Sequence, residues 1–254
     1  MKIKLDLKKT LEQNAEQYFE KAKKARKKAE GAEKAVRHYQ EKLASVKKET
    51  PAETNVVKKK PAKKWYEKYR WFMSSDNLPV IGGRDATTNE MIIKKHTEKN
   101  DLVFHTDMTG SPFVIVKNKE NNDIPETTKK EAATFTAVFS KAWKKGLGTL
   151  DVFSVKPEQV SKNAKPGEYL AKGAFMIYGD TDYYHPEMSH AIGIYQGRVM
   201  GGPLSAIKKH CNEYVEVVQG RKKQSDIAKK IKKKLGAELD DILRALPTGC
   251  RLKK

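Results

Sequence analysis

Cysteine is scarce. Among 254 residues only Cys211 and Cys250 carry a thiol. Two thiols make neither a disulfide framework nor the clustered ligands of a structural zinc site. Long apolar runs are missing as well. Phe113-Val114-Ile115-Val116 is typical of the longest. It suits a buried strand and falls far short of the ~20 residues that span a bilayer, so no membrane partner is expected. Met1 to Leu11 has lysines but no unbroken apolar core, hence no secretory leader is read there and the expected compartment is the cytoplasm. Acidic side chains are too few: 32 Asp and Glu face 52 Lys and Arg, leaving a formal charge of +20. A chain this basic binds a polyanion or lies on an anionic surface. Apolar residues are 38% and charged ones 33%, against about 45–50% and about 25% in ordinary domains. Part of the chain is therefore solvated stalk or tail.

The excess charge sits at the two ends. Residues 1–64 hold 20 basic and 9 acidic side chains, residues 205–254 hold 14 and 6, and residues 65–204 hold 18 and 17. A near-neutral body with basic flanks fits a long polyanion better than a small acidic ligand. If six to ten phosphates are contacted, affinity falls about 10³–10⁵-fold between 50 and 200 mM salt. The alternative is a coat of lysines that only keeps the protein soluble.

Leu11, Ala15, Tyr18, Ala22, Ala25, Ala29, Ala32, Val36, Tyr39, Leu43 and Val46 follow one another at spacings of four and three. That is a heptad seam and predicts a coiled-coil helical arm over residues 1–49. Five of the eleven seam residues are alanine, so the apolar stripe is thin, and Gly31 costs a further ~1 kcal/mol relative to alanine. An arm so marginal alone pairs with another copy or another chain, or lies on RNA; the alternative is a solvated charged helix. Pro51, Pro61 and Lys58-Lys59-Lys60 mark residues 50–62 as a basic linker.

Residues 63–254 read as an α+β domain, a mixed sheet with packed helices. Strands are expected at 71–74, 78–81, 102–105, 113–117, 151–155, 174–178, 191–195 and 214–218. Helices are expected at 63–69, from Thr87 with Glu90 as its capping-box partner, from Pro125 through Trp143 to Gly146, and at 205–210 and 226–235.

Four constellations carry chemistry. Gly82-Gly83-Arg84-Asp85 stands between a strand and a helix. Glycines allow close backbone approach, free N–H groups can hold a phosphate and Arg84 adds a bidentate cation; alternatively Arg84 and Asp85 simply pair. In Lys63 to Phe72, cations can track a phosphate backbone while aromatic faces stack on bases. Helical spacing of Trp65, Tyr69 and Phe72 assigns part of that set to the core, with two of the large aromatics expected there and the lysines and Arg70 left outward. His105 and Asp107, two apart at a strand end, could bind metal or exchange a proton, but no second ligand cluster stands at the right spacing. No metal site, no cofactor and no catalytic centre are expected. Finally, Ile227, Ile231 and Leu235 form a docking stripe that leaves Lys232, Lys233 and Lys234 outward.

The run Lys64-Trp65-Tyr66-Glu67-Lys68-Tyr69-Arg70-Trp71-Phe72-Met73-Ser74-Ser75-Asp76 resembles the opening of the RNA-binding (R) domain of the NFACT family. So do Val80 to Ala86 with Asn89-Glu90, His105-Thr106-Asp107 with Gly110, Lys156 to Lys162, Gly167 to Leu170 and Gly173 to Ile177. Ile3 to Ala32 is similar to the start of the family's coiled coil, and the archaeal branch is the nearest in character. The resemblance, to proteins of the NEMF and RqcH type, implies an RNA-binding domain on the large ribosomal subunit, acting on stalled nascent chains and with tRNA as a further partner. No N-terminal NFACT domain, helix-hairpin-helix segment or returning coiled-coil helix is read in these residues. Carry-over of tRNA selection is therefore not implied, and a separate chain carrying that N-terminal half, or self-association through the seam, is expected. Thr109 stands where relatives commonly have histidine, which weakens a role for His105. Lys63, Lys64, Lys68, Arg70, Gly82, Gly83, Arg84, Lys94 and Lys95 are the expected RNA contacts, with Lys232, Lys233 and Lys234 as a second patch. A metal-dependent RNA hydrolase using His105 and Asp107, or a stand-alone tRNA- or RNA-binding adaptor, is the competing reading.

Overall fold

The computed structural model describes residues 5–46, 64–163 and 170–253, the side chains of 42–46 excepted. The chain divides into two compact units, Met1–Lys59 and Lys60–Lys254. The expected linker at 50–62 lies outside the described residues.

In the first unit the seam folds as one helix, α1, Leu11–Val46. Its 36 residues make a rod of about 54 Å. Thr10 and Gln13 cap it reciprocally: Thr10 Oγ1 accepts from the Gln13 N–H at 3.3 Å, and Gln13 Oε1 from the Thr10 N–H at 3.1 Å. Asn14, buried on this otherwise exposed rod, donates to the carbonyls of Asp6, Lys9 and Thr10 and accepts from the Asp6 N–H, tying the preceding turn down. Leu11, Val36 and Tyr39 of the seam are exposed.

The second unit starts with a 3₁₀ turn, Trp65–Lys68, and a hairpin of β1 (Arg70–Met73) and β2 (Pro79–Gly82). Helix α2 (Ala86–Met91) runs into a π-helical turn, Ile92–His96, before β3 (Leu102–Thr106) and β4 (Val114–Val116). Helices α3 (Glu126–Val138) and α4 (Lys141–Lys145) precede β5 (Val152–Val155). Short strands β6 (Val160–Ser161), β7 (Met176–Ile177) and β8 (Asp182–Tyr184) lead to β9 (His190–Tyr195) and β10 (Arg198–Gly202). The chain ends with α5 (Leu204–His210), β11 (Tyr214–Lys222), α6 (Gln224–Leu235), α7 (Leu239–Ala245) and β12 (Cys250–Leu252).

The result is the expected α+β architecture. Six strands form one sheet in the order β1-β2-β4-β3-β5-β8, four form a second in the order β10-β9-β11-β12, and β6 pairs with β7. Every ladder among the described strands is antiparallel. Helix α3 packs on β3, β4 and β5, while α5 covers β9 and β10. Strand β1 also touches β10, so the two sheets share one core built on Phe72, Ile81, Phe104, Ile115, Phe135, Ile192 and Met200. Glu131 of α3 fastens the joint by accepting from the Ser75 N–H at 2.8 Å and from the hydroxyls of Ser75 and Ser205.

Local readings differ. Strands β6, β8, β10 and β12 and helix α7 were not expected, and the helix expected at 63–69 is the 3₁₀ turn Trp65–Lys68. The cap of α2 is Asp85, not Thr87: its carboxylate accepts from the Thr88 N–H at 2.8 Å, and Glu90 turns away to Lys94 at 2.6 Å. The long helix from Pro125 breaks after Val138, because the Ser140 hydroxyl accepts from the Ala142 N–H and caps a new helix. Tyr66, Tyr69, Trp71 and Phe72 are all buried, leaving Trp65 alone of that aromatic group exposed.

Candidate nucleic-acid interface

Four connections meet at one end of the larger sheet, where Arg70, Gly82 and Val114 stand side by side and β3 ends. They are the β2–α2 turn, the β3–β4 loop, the α3–α4 junction and residues 171–174. With Arg70 at the start of β1 they enclose a cleft of about 670 Å³. Two glycines set its walls. At Gly83 a Cβ would stand 1.8 Å from Asn89 Oδ1, the atom that accepts from the Phe113 N–H and ties α2 to the β4 side. Gly173, at φ +78°, lets residues 171–174 come so close to Ala86 that a Cβ would lie 2.5 Å from its carbonyl oxygen.

The β2–α2 turn does not act as expected. Its N–H groups are already occupied: Gly83 donates to the Phe113 carbonyl at 2.9 Å, and Arg84 and Asp85 both donate to Thr88 Oγ1. Gly82 is a packed strand residue whose missing side chain makes room for Phe135 and Val114. The turn therefore offers no backbone nest at Gly83, Arg84 and Asp85, and any anion must be held by side chains.

Side-chain cations are in place. The largely buried Arg70 donates from Nη1 to the Gly83 carbonyl at 2.9 Å, and its guanidinium carbon sits 4.3 Å from the centre of the Phe139 ring. It is thus not the outward-facing cation that its sequence neighbours predict. Burial, reinforced by the charge of Arg84, brings the Arg70 guanidinium down to about 10. Arg84 is exposed, and its Nη1 lies 3.5 Å from the Lys68 carbonyl. Neither arginine is ion-paired to a carboxylate among the described residues. Asp85 does not pair with Arg84, since capping occupies its carboxylate, and the Thr88 N–H holds it below the usual carboxylate range. Lys141, Lys144 and Lys172 complete the cationic lining. These three lysines escaped the sequence reading. They are distant in the chain from Arg70 and Arg84; Lys141 and Lys144 follow an apolar helix, and Lys172 stands between β6 and β7 with no local pattern of its own.

His105 also lines the cleft. Its ring stacks on Phe113 with centroids 3.9 Å apart, and Nδ1–H donates to the Pro112 carbonyl at 2.9 Å. Burial pushes its pKa down and keeps the ring neutral near pH 7. Asp107 is exposed on the loop that follows β3. Among the described residues no group of three His, Cys, Asp or Glu side chains is placed to hold a metal.

The remaining expected contacts divide. Lys64 and Lys68 are exposed around the 3₁₀ turn, Lys68 with its ammonium 5.0 Å from the centre of the Tyr69 ring. Beside them Trp65, 43% exposed, stacks on His96 at 4.2 Å, a flat surface suited to an unpaired base. Lys95 is exposed on the π-helical turn, whereas Lys94 is tied to Glu90. Lys232, Lys233 and Lys234 are exposed on α6 and do not line the cleft. Lys63 lies outside the described residues.

Residues 68–179 match a family model described as the NFACT protein RNA binding domain. An archaeal Rqc2 homologue, aRqcH, from Methanocaldococcus jannaschii is 40% identical over 209 residues, which cover 78% of this chain and 31% of that protein. The ribosome quality control complex subunit NEMF of Homo sapiens is 36% identical over 177 residues, 68% of this chain and 16% of that one. Ribosome quality control complex subunit 2 of Schizosaccharomyces pombe is 34% identical over 190 residues, 72% and 18%. The chain thus spans less than a third of the length of each of these relatives.

Proposed function

We propose that the protein is an RNA-binding module of ribosome quality control, docking on the large ribosomal subunit, a reading supported by the match of residues 68–179 to the NFACT protein RNA binding domain. One observation carries the reading. Arg70, Arg84, Lys141, Lys144 and Lys172, the cations that line the cleft, all lie within the matched residues. Ribosomal RNA is the principal partner in this proposal. Trp65 offers a base a stacking face, Lys64, Lys68 and Lys95 follow the phosphates beside it, and Lys232, Lys233 and Lys234 supply a second patch. Such contacts position RNA without altering it, so the role is binding rather than turnover. A tRNA held beside the subunit is a further partner. The exposed seam of α1 pairs with a second helix, from another copy or from a chain carrying an N-terminal NFACT half.

Sedimentation with separated ribosomal subunits at several salt concentrations tests this. The protein is expected to pellet with the large subunit at low salt and to be released as salt rises. Pelleting equally with both subunits, or with neither, overturns the proposal.

A further inference from the structure

We propose that the cleft recognises the terminal phosphate of a single unpaired nucleotide, with Arg70 and Arg84 as the gripping side chains. The inference rests on the RNA-binding reading above and names what the cleft takes. Size comes first. A cleft of about 670 Å³ lies within the ~300–1,000 Å³ range of small-ligand sites. It admits one nucleotide and excludes a helix.

Charge comes second. Five cations line the cleft against the carboxylates of Asp85 and Asp107, and Asp85 is engaged by Thr88. An internal phosphodiester brings one negative charge. A terminal monoester brings about −1.5 to −2 near neutral pH, the better match to that surplus.

Geometry comes third. Arg70 uses Nη1 on the Gly83 carbonyl and one face of its guanidinium on Phe139. Both contacts fix the plane of a group that has five N–H donors in a rigid fork. Among the described residues Arg70 makes no direct ion pair; the Asp85 charge only partly offsets the cost of burying it, and an incoming phosphate supplies a contacting anion through paired N–H···O bonds. Because the turn N–H groups are occupied internally, recognition falls on the guanidinium groups. Arg84 at the exposed end then closes on the same phosphate.

The test uses the full chain and one short single-stranded oligoribonucleotide in three forms: 5′-phosphorylated, 3′-phosphorylated and unphosphorylated. One phosphorylated form should bind about tenfold or more tightly than the unphosphorylated one, and which form does so identifies the end that is read. Arg84→Gln, at an exposed position, should erase that preference, as should Arg70→Met with its fold checked by circular dichroism. The combined change Lys232→Gln, Lys233→Gln and Lys234→Gln should weaken all three forms alike and leave their ratio intact. Equal affinities for the three forms overturn the terminal-phosphate proposal while leaving RNA binding standing. A preference that survives Arg84→Gln and Arg70→Met removes these arginines from it. Failure to bind any of the three at low salt overturns the RNA-binding reading itself.

Discussion

Arg70 Nη1 reaches back 2.9 Å to the carbonyl of Gly83, joining the first residue of β1 to the turn that follows β2, its partner strand. The same side chain covers the face of Phe139 at the end of α3. A cation held there by burial and a single carbonyl adds little to stability, because desolvation offsets the hydrogen bond. Arg70→Met keeps the length and apolar body of the side chain. Chemical denaturation should place the variant within about 1 kcal/mol of the parent, while its affinity for single-stranded RNA falls about tenfold. A loss of stability with unchanged affinity would make Arg70 a structural residue.

Gly83 is fixed by space. An added methyl would stand 1.8 Å from Asn89 Oδ1 and displace the bond from the Phe113 N–H. Gly83→Ala should cost about 2 kcal/mol or more, read as a lower thermal midpoint. Gly148→Ala is the control, since nothing lies within 4 Å of a Cβ there, and it should leave the midpoint near the parent value.

His190 makes the fold sensitive to acid. Its Nε2–H donates to the Ala245 carbonyl at 2.8 Å, and Nδ1 is buried with no hydrogen-bond partner in the structure. Burial brings its pKa from 6.5 down to about 4, the Ala245 carbonyl opposing that shift and the charge of Arg70 adding to it. Between those values the unfolded chain binds a proton that the folded one refuses. The contribution is therefore complete above about pH 6.5 and is lost as pH falls toward 4, by up to about 3 kcal/mol. His105 and His96 shift in the same direction, each chiefly through burial. Urea midpoints measured from about pH 7.5 to about pH 4.5 should decline, and His190→Asn should flatten the decline. A midpoint that rises on acidification would contradict this.

Gly31 lies within α1 with nothing within 4 Å of the position of a Cβ. Gly31→Ala should therefore stabilise the arm by about 1 kcal/mol, seen as greater helical ellipticity at 222 nm. No gain would mean that a partner already packs against that glycine.

The periodic features of the fold were legible in the residues. The unbroken four-three spacing from Leu11 specified α1, and short continuous apolar runs such as Phe113 to Val116 specified buried strands. Boundaries set by competing local patterns were not. Asp85-x-x-Thr88 and Thr87-x-x-Glu90 overlap as caps, and only the close fit of Gly83 against Asn89 decides where α2 starts. Strand β10 was missed because its hairpin turns on Gln196 and Gly197, both at positive φ, without the Asn-Gly or Asp-Gly that usually signals such a turn. For the site, Arg84 and the glycine turn stood out as a contiguous motif. The inward position of Arg70 depends on Phe139, far along the chain, and Lys141, Lys144 and Lys172 join only through tertiary packing.

The central claim is that clustered cations of the full chain hold RNA, and the salt dependence of its affinity for a labelled single-stranded RNA reads this most directly. The logarithm of the binding constant should fall linearly with the logarithm of salt, with a slope of about −0.7 per phosphate engaged. The slope should become shallower in the Lys232→Gln, Lys233→Gln and Lys234→Gln variant. Absence of binding at about 50 mM salt, or an affinity indifferent to salt, would contradict the account.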